Sequence, residues 1–167
     1  MKKFIILPLI IGGCFAQGFA EEVETPHIHS SNTYITTGIG PLPLPTFLVG
    51  VGRRNVVSDR MAIDFGVSGS TLIQVHTAKA YLNSLWYMNQ TPISQWYAGV
   101  GASVGALVWD HSVDGYFAPN LVVGKEFYNS NCKKRFFQVE TMYPVVNMHH
   151  TKVVNFPFIS LKYGFAF

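Results

Sequence analysis

From residue 32 onward the chain alternates apolar and polar or small positions with a period of two, in runs separated by Gly, Pro, Asn, Asp and Ser clusters. That periodicity marks strands joined by turns. The runs predict eight strands, over residues 32–40, 46–53, 60–69, 71–88, 94–109, 115–128, 132–148 and 153–167. The fourth has a competing reading: residues 78–87 also suit an amphipathic helix, which would lower the strand count.

The two faces of each run differ in kind. In the fifth, Trp96, Ala98, Val100, Ala102, Val104, Ala106 and Val108 share one face, while Tyr97, Gly99, Gly101, Ser103 and Gly105 share the other. The last sets Ile159, Leu161, Tyr163, Phe165 and Phe167 against Ser160, Lys162, Gly164 and Ala166. The third opposes Met61, Ile63, Phe65 and Val67 to Ala62, Asp64, Gly66 and Ser68. The seventh opposes Phe137, Val139, Thr141, Tyr143 and Val145 to Phe136, Gln138, Glu140 and Met142.

Composition decides which face is outside. The chain of 167 residues is 49% hydrophobic and 14% aromatic with only 13% charged residues, about half the charge of a soluble domain. A soluble sheet with the apolar face inward would leave its exterior nearly uncharged and overfill one small core with aromatic rings. With the apolar faces toward lipid, the glycines line a narrow lumen in which Asp64, Glu126, Glu140 and Lys162 can pair as interior polar residues. The turns are flanked by aromatics, including Trp86, Tyr87, Trp96, Tyr97, Trp109, Tyr116, Phe117, Phe127, Tyr128, Phe136 and Phe137, as interfacial girdles require. The expected fold class is all-β: an eight-stranded antiparallel up-and-down transmembrane β-barrel over residues 32–167.

A basic, apolar start (Met1-Lys2-Lys3, then an apolar stretch to Ile11) with Gly18 and Ala20 behind it reads as a signal peptide over residues 1–20, cut before Glu21. Ile11-Gly12-Gly13-Cys14 permits a lipobox instead, with Cys14 acylated; both readings export the protein. Residues 21–31 read as a flexible leader, in which His27 and His29 supply only two ligands for a metal. Cys132 remains as a thiol able to pair between molecules in an oxidising compartment. A net charge of +3 from scattered basic residues does not suit nucleic acid.

The ending Ser160-Leu161-Lys162-Tyr163-Gly164-Phe165-Ala166-Phe167 resembles the C-terminal signature of bacterial outer-membrane β-barrels, with Leu161, Tyr163, Phe165 and Phe167 as the alternating apolar positions. The whole chain resembles the small eight-stranded barrels typified by OmpX and the OmpA membrane domain. Its Gly40-Pro41-Leu42-Pro43-Leu44-Pro45-Thr46-Phe47 motif is similar to small envelope barrels of chlamydia-like bacteria. The resemblance implies a Gram-negative outer-membrane location, the barrel-assembly machinery as a partner in biogenesis, and outer-membrane lipid and lipopolysaccharide as surroundings. No cofactor is expected.

An even strand count places both termini in the periplasm, so residues 41–45, 69–70, 110–114 and 147–152 would be the outward connections. All are short. The basic groups Arg53-Arg54-Arg60 and Lys133-Lys134-Arg135 would then lie at the periplasmic ends, near lipid phosphates. A barrel of eight strands is filled by its own side chains, which argues against general porin activity and for a structural or surface-interaction role. The first alternative is a lipid-modifying enzyme of the lipid A deacylase or acyltransferase type. Its candidates at the outer rim are His111, Ser112 and Asp114, for a hydroxyl activated by an imidazole and an acid, with His76 nearby. His111, His149 and His150 are the candidate metal ligands. The second alternative is a secreted soluble lipocalin-like barrel with an apolar cavity.

Overall fold

A computed structural model describes residues 31–42, 46–72, 75–90, 94–109, 112–128, 134–147 and 157–167. The strands are β1 (Asn32–Leu42), β2 (Phe47–Ser58), β3 (Met61–Leu72), β4 (Val75–Gln90), β5 (Ser94–Trp109), β6 (Ser112–Tyr128), β7 (Lys134–Met142), β8 (Val146–Asn147) and β9 (Phe158–Ala166). Each pairs antiparallel with its sequence neighbour as far as β7. The two residues of β8 prolong the β7 side of the β6 ladder past Tyr143-Pro144-Val145, so the wall has eight staves.

β9 closes the ring by pairing with both β7 and β1. On the β1 side the register slips between Ile39 and Leu42. The slip falls at Gly40, whose φ of 148° is one that residues with a Cβ rarely adopt, and a Cβ there would meet the Ser160 side chain at 2.6 Å.

Residues 78–87 lie wholly within β4, so the helical reading of that stretch does not hold. Several predicted strand ends also move: β4 starts at Val75, β6 at Ser112 and β9 at Phe158. β2 runs on to Ser58, with a tight turn at Asp59-Arg60, and β3 runs through Gly69 and Ser70 to Leu72, so residues 69–70 are strand and not an outward connection.

The alternation resolves into two faces. Val51, Val67, Leu82, Val100, Val104, Leu121 and Phe137 are outward and exposed. Tyr34, Thr36, Leu48, Ser68, Leu85, Tyr97, Ser103, Val122 and Gln138 are buried in the lumen. A soluble barrel built around an apolar cavity requires the reverse. Outward aromatics sit toward both ends: Trp86, Trp96, Phe137, Phe165 and Phe167 on the side where β1 begins and β9 finishes, Phe47, Phe117 and Tyr143 on the other. Tyr87, Tyr97 and Phe136, expected in the girdles, point inward and are almost fully buried. The cause is geometric: adjacent strand residues face opposite sides, so Trp86-Tyr87, Trp96-Tyr97 and Phe136-Phe137 each contribute one ring to either face.

Candidate functional site

The most concentrated chemistry of the described residues is in the lumen. Arg54 follows Gly50 and Gly52 at inward positions of β2 and projects across the barrel, only 2% exposed. Its Nε lies 3.3 Å from Asp64 Oδ1, it pairs through Nη1 with Glu126 Oε1, and its Nη2 donates to Gln138 Oε1 at 3.4 Å. Lys134 Nζ stands 2.6 Å from the other oxygen of Glu126. Three phenols complete the shell: Tyr34 donates to Asp64 at 2.7 Å, Tyr87 to Glu126 and Tyr97 to Gln138, each at 2.9 Å. The guanidinium carbon is 4.6 Å from the Tyr97 ring centre and 4.8 Å from that of Phe136, a cation–π enclosure that suits a flat cation.

Glycines make room for these rings. A Cβ at Gly164 would overlap the Phe136 ring, and one at Gly52 would overlap the Tyr34 phenol.

A second cluster centres on Glu140. Lys79 pairs with one of its oxygens and Lys162 with the other, while Lys162 Nζ also lies 4.6 Å from the Tyr81 ring centre. The Tyr34 and Tyr81 hydroxyls are 2.9 Å apart, and this phenol pair joins the two clusters. A smaller amide and hydroxyl group follows, with Ser103 Oγ donating to Asn120 Oδ1 at 3.1 Å and Asn120 Nδ2 to Asn83 Oδ1 at 3.4 Å.

Ions buried this deeply persist only when paired and hydrogen-bonded, and here cations from β2, β4, β7 and β9 meet carboxylates from β3, β6 and β7. The arrangement cross-braces the barrel through its lumen.

Of the expected interior residues, Asp64 and Glu126 lie in the first cluster and Glu140 and Lys162 in the second. Arg54 and Lys134 were expected among basic groups at the periplasmic rim; the structure places both inside. Sequence adjacency to Arg53 and Lys133 concealed the alternation that turns them inward. From the sequence Lys79 and Tyr34 are left unassigned, Gln138 is set only on the polar face of its run, and Tyr87 and Tyr97 are counted among the girdle aromatics; each of the five has inward parity on its strand.

Of the rim candidates, Ser112, Asp114 and His76 are among the described residues. Ser112 and Asp114 belong to β6, paired with Trp109 and Leu107, and so are not loop residues. Asp114 has inward parity, as the exposed Val113 and Phe117 on its strand face out. His76 is exposed near the start of β4, its Nδ1 2.7 Å from Thr71 Oγ1. His111, His149, His150 and Cys132 lie outside the described residues, as do the signal segment, the leader as far as Ser30 and Pro43-Leu44-Pro45 of the Pro-rich motif. Leu161, Tyr163 and Phe165 occupy the outward face of β9 and Phe167 follows its last residue, with Tyr163 and Phe165 edge to face at 4.8 Å.

No family model and no curated sequence matches the chain. Solved structures do. The N-terminal β-barrel domain of Pseudomonas aeruginosa OprF is similar at 13% identity and a TM-score of 0.60, over 81% of this chain and 97% of that one. Neisserial surface protein A is similar at 9% identity and a TM-score of 0.64, over 81% and 94%. A de novo designed transmembrane β-barrel is similar at 11% identity and a TM-score of 0.53, over 81% and 95%. With its closed ring of eight staves, apolar outside and polar within, the chain has the fold of the small eight-stranded outer-membrane β-barrels.

Proposed function

We propose that the protein is an integral barrel of a bacterial outer membrane, exported by its N-terminal signal, with a closed lumen and a structural or surface-interaction role. The observation that carries this reading is the opposition of the two faces. Exposed Val, Leu, Ile and Phe cover the wall, whereas the lumen is crossed by the Arg54 and Glu140 clusters. Such a wall suits hydrocarbon, and such a lumen offers no open aqueous path.

On this reading outer-membrane lipid and lipopolysaccharide surround the wall, and the barrel-assembly machinery receives the outward row Leu161, Tyr163, Phe165 and Phe167 during biogenesis. Both termini face the periplasm. The exposed surface is then made by three connections of four residues or fewer and one of ten, between Asn147 and Phe158, which suits contact with a neighbouring envelope component better than capture of a large ligand.

Two measurements test it. In planar bilayers the refolded protein is expected to hold a closed baseline; a steady, large conductance would contradict a filled lumen. In intact cells an epitope tag between Asp110 and His111, in the β5–β6 connection, should be reached by antibody, and one at Ser130, in the β6–β7 connection, should not. The opposite labelling would invert the topology.

A further inference from the structure

Arg53, Lys125 and Arg135 are the charged side chains on outward strand faces among the described residues. All three are cations, and all lie toward the end of the barrel that carries both termini. They are also grouped around it. Lys125 on β6 is paired in register with Trp96 on β5, its Nζ 5.4 Å from the ring centre. Arg135 on β7 is paired with Phe165 on β9, its guanidinium 5.7 Å from that ring. Arg53 on β2 stands opposite Thr33 on β1 and donates from Nε to Asn55 Oδ1 at 2.9 Å. Arg53 and Arg135 are thus three strands apart, about 14 Å around the wall at ~4.8 Å per strand. The arc from β5 through the β9–β1 closure to β2 carries the cations, while the outward residues Met61, Ile63 and Trp86 of β3 and β4 at the same end carry none.

Of the described carboxylates at this end, Glu126 and Asp64 are turned into the lumen and consumed by Arg54 and Lys134, and Asp59 stands beyond the strands in the β2–β3 turn beside Arg60. The outward cations have their stems on an apolar wall and their heads at its edge, the arrangement in which Lys and Arg reach headgroup phosphates.

We propose that this arc, centred on Arg53, Lys125 and Arg135, binds the headgroups of anionic glycerophospholipids and so fixes the terminal end of the barrel in the phospholipid-rich leaflet. The proposal rests on the membrane-embedded reading and adds a lipid class and a place on the wall to it. The aromatic rings hold the cations at the interface, and the anionic phosphate supplies the charge that the outward face lacks.

Trp96, next to Lys125, is the reporter. In full-length protein carrying Trp86→Phe and Trp109→Phe, its fluorescence is quenched by neighbouring brominated lipid. Brominated phosphatidylglycerol is expected to outcompete brominated phosphatidylcholine at Trp96 by roughly fivefold, the effect of about one full basic contact with an anionic surface. At about 1 M salt, where the Debye length falls to ~3 Å, the preference should approach unity. In Arg53→Gln/Lys125→Gln/Arg135→Gln it should be lost at low salt too. Equal quenching by the two lipids, or a preference that salt leaves unchanged, overturns the proposal while leaving the membrane reading intact. Stronger competition by lipid A than by phosphatidylglycerol also overturns it. Absence of quenching by either lipid overturns the membrane reading itself. If the triple variant does not fold, the salt series on the parent protein decides.

Discussion

Arg53 and Arg54 are neighbours in sequence on opposite sides of one wall. Arg53 points outward at the rim, exposed, with a single amide partner in Asn55. Arg54 points into the lumen, where Asp64, Glu126, Gln138 and two aromatic rings surround it. The same side chain therefore serves two physical tasks. Outside, a cation at the edge of an apolar band interacts with whatever the membrane surface presents. Inside, a cation with no water must be matched by fixed carboxylates, and the matching joins strands far apart in sequence. Specificity of the fold resides in the second face, and compatibility with lipid in the first.

The largest loss is expected at Arg54. Arg54→Ala leaves Asp64 without its ion-pair partner, removes one cation from Glu126 and opens space between Tyr97 and Phe136, so the folded barrel should lose about 3–5 kcal/mol. Denaturant unfolding in micelles, followed by tryptophan fluorescence, would read the loss. A change below about 1 kcal/mol would mean that the lumen is wet enough to solvate the stranded carboxylates.

The outward face is broken by placing a charge where none stands. Val100→Arg, at an exposed position near the middle of β5, should cost about 2–4 kcal/mol in lipid. The same substitution at an exposed position on a soluble barrel would cost almost nothing, so unfolding from bilayers separates the two environments.

A milder probe sharpens the inward side. Tyr97→Phe removes the hydroxyl that donates to Gln138 at 2.9 Å while keeping the ring over Arg54, and should cost about 1 kcal/mol. An unaltered unfolding midpoint would show that the phenol finds no net advantage over water. Arg53→Gln is the smallest change: the unfolding midpoint should stay where it is, because an exposed rim charge adds little to stability. A large loss there would erase the distinction between the two arginines.

How far the sequence reveals this follows from the same two residues. Parity along each run is enough to assign Val100 and Phe165 outward and Asp64, Glu140 and Lys162 inward, because strand alternation is local. Partner choice is not local. Arg54 meets Glu126 from 72 residues away, and only the closed register of the ring brings β2 and β6 side chains together across the lumen. Grouping Arg53, Arg54 and Arg60 as one basic cluster counted charge along the chain and ignored the alternation that splits it. The same oversight placed Tyr87, Tyr97 and Phe136 in the girdles. Strand ends such as Ser58 and Leu72 were hidden for a different reason: Asn55, Gly69 and Ser70 are turn-forming residue types, yet the pairing of Asn55 with Ile63, of Gly69 with Val49 and of Ser70 with Leu48 keeps them in the sheet. The rim chemistry gave the least away, since a His-rich connection says nothing of whether its side chains converge.

Whether the apolar face meets lipid around a closed ring is read from electrophoretic mobility in SDS, with and without boiling, of protein recovered from the outer-membrane fraction. A closed barrel braced by the Arg54 and Glu140 clusters should resist SDS when unheated and shift in mobility on boiling. Recovery in the soluble periplasmic fraction with no heat-dependent shift would contradict the lipid-facing wall.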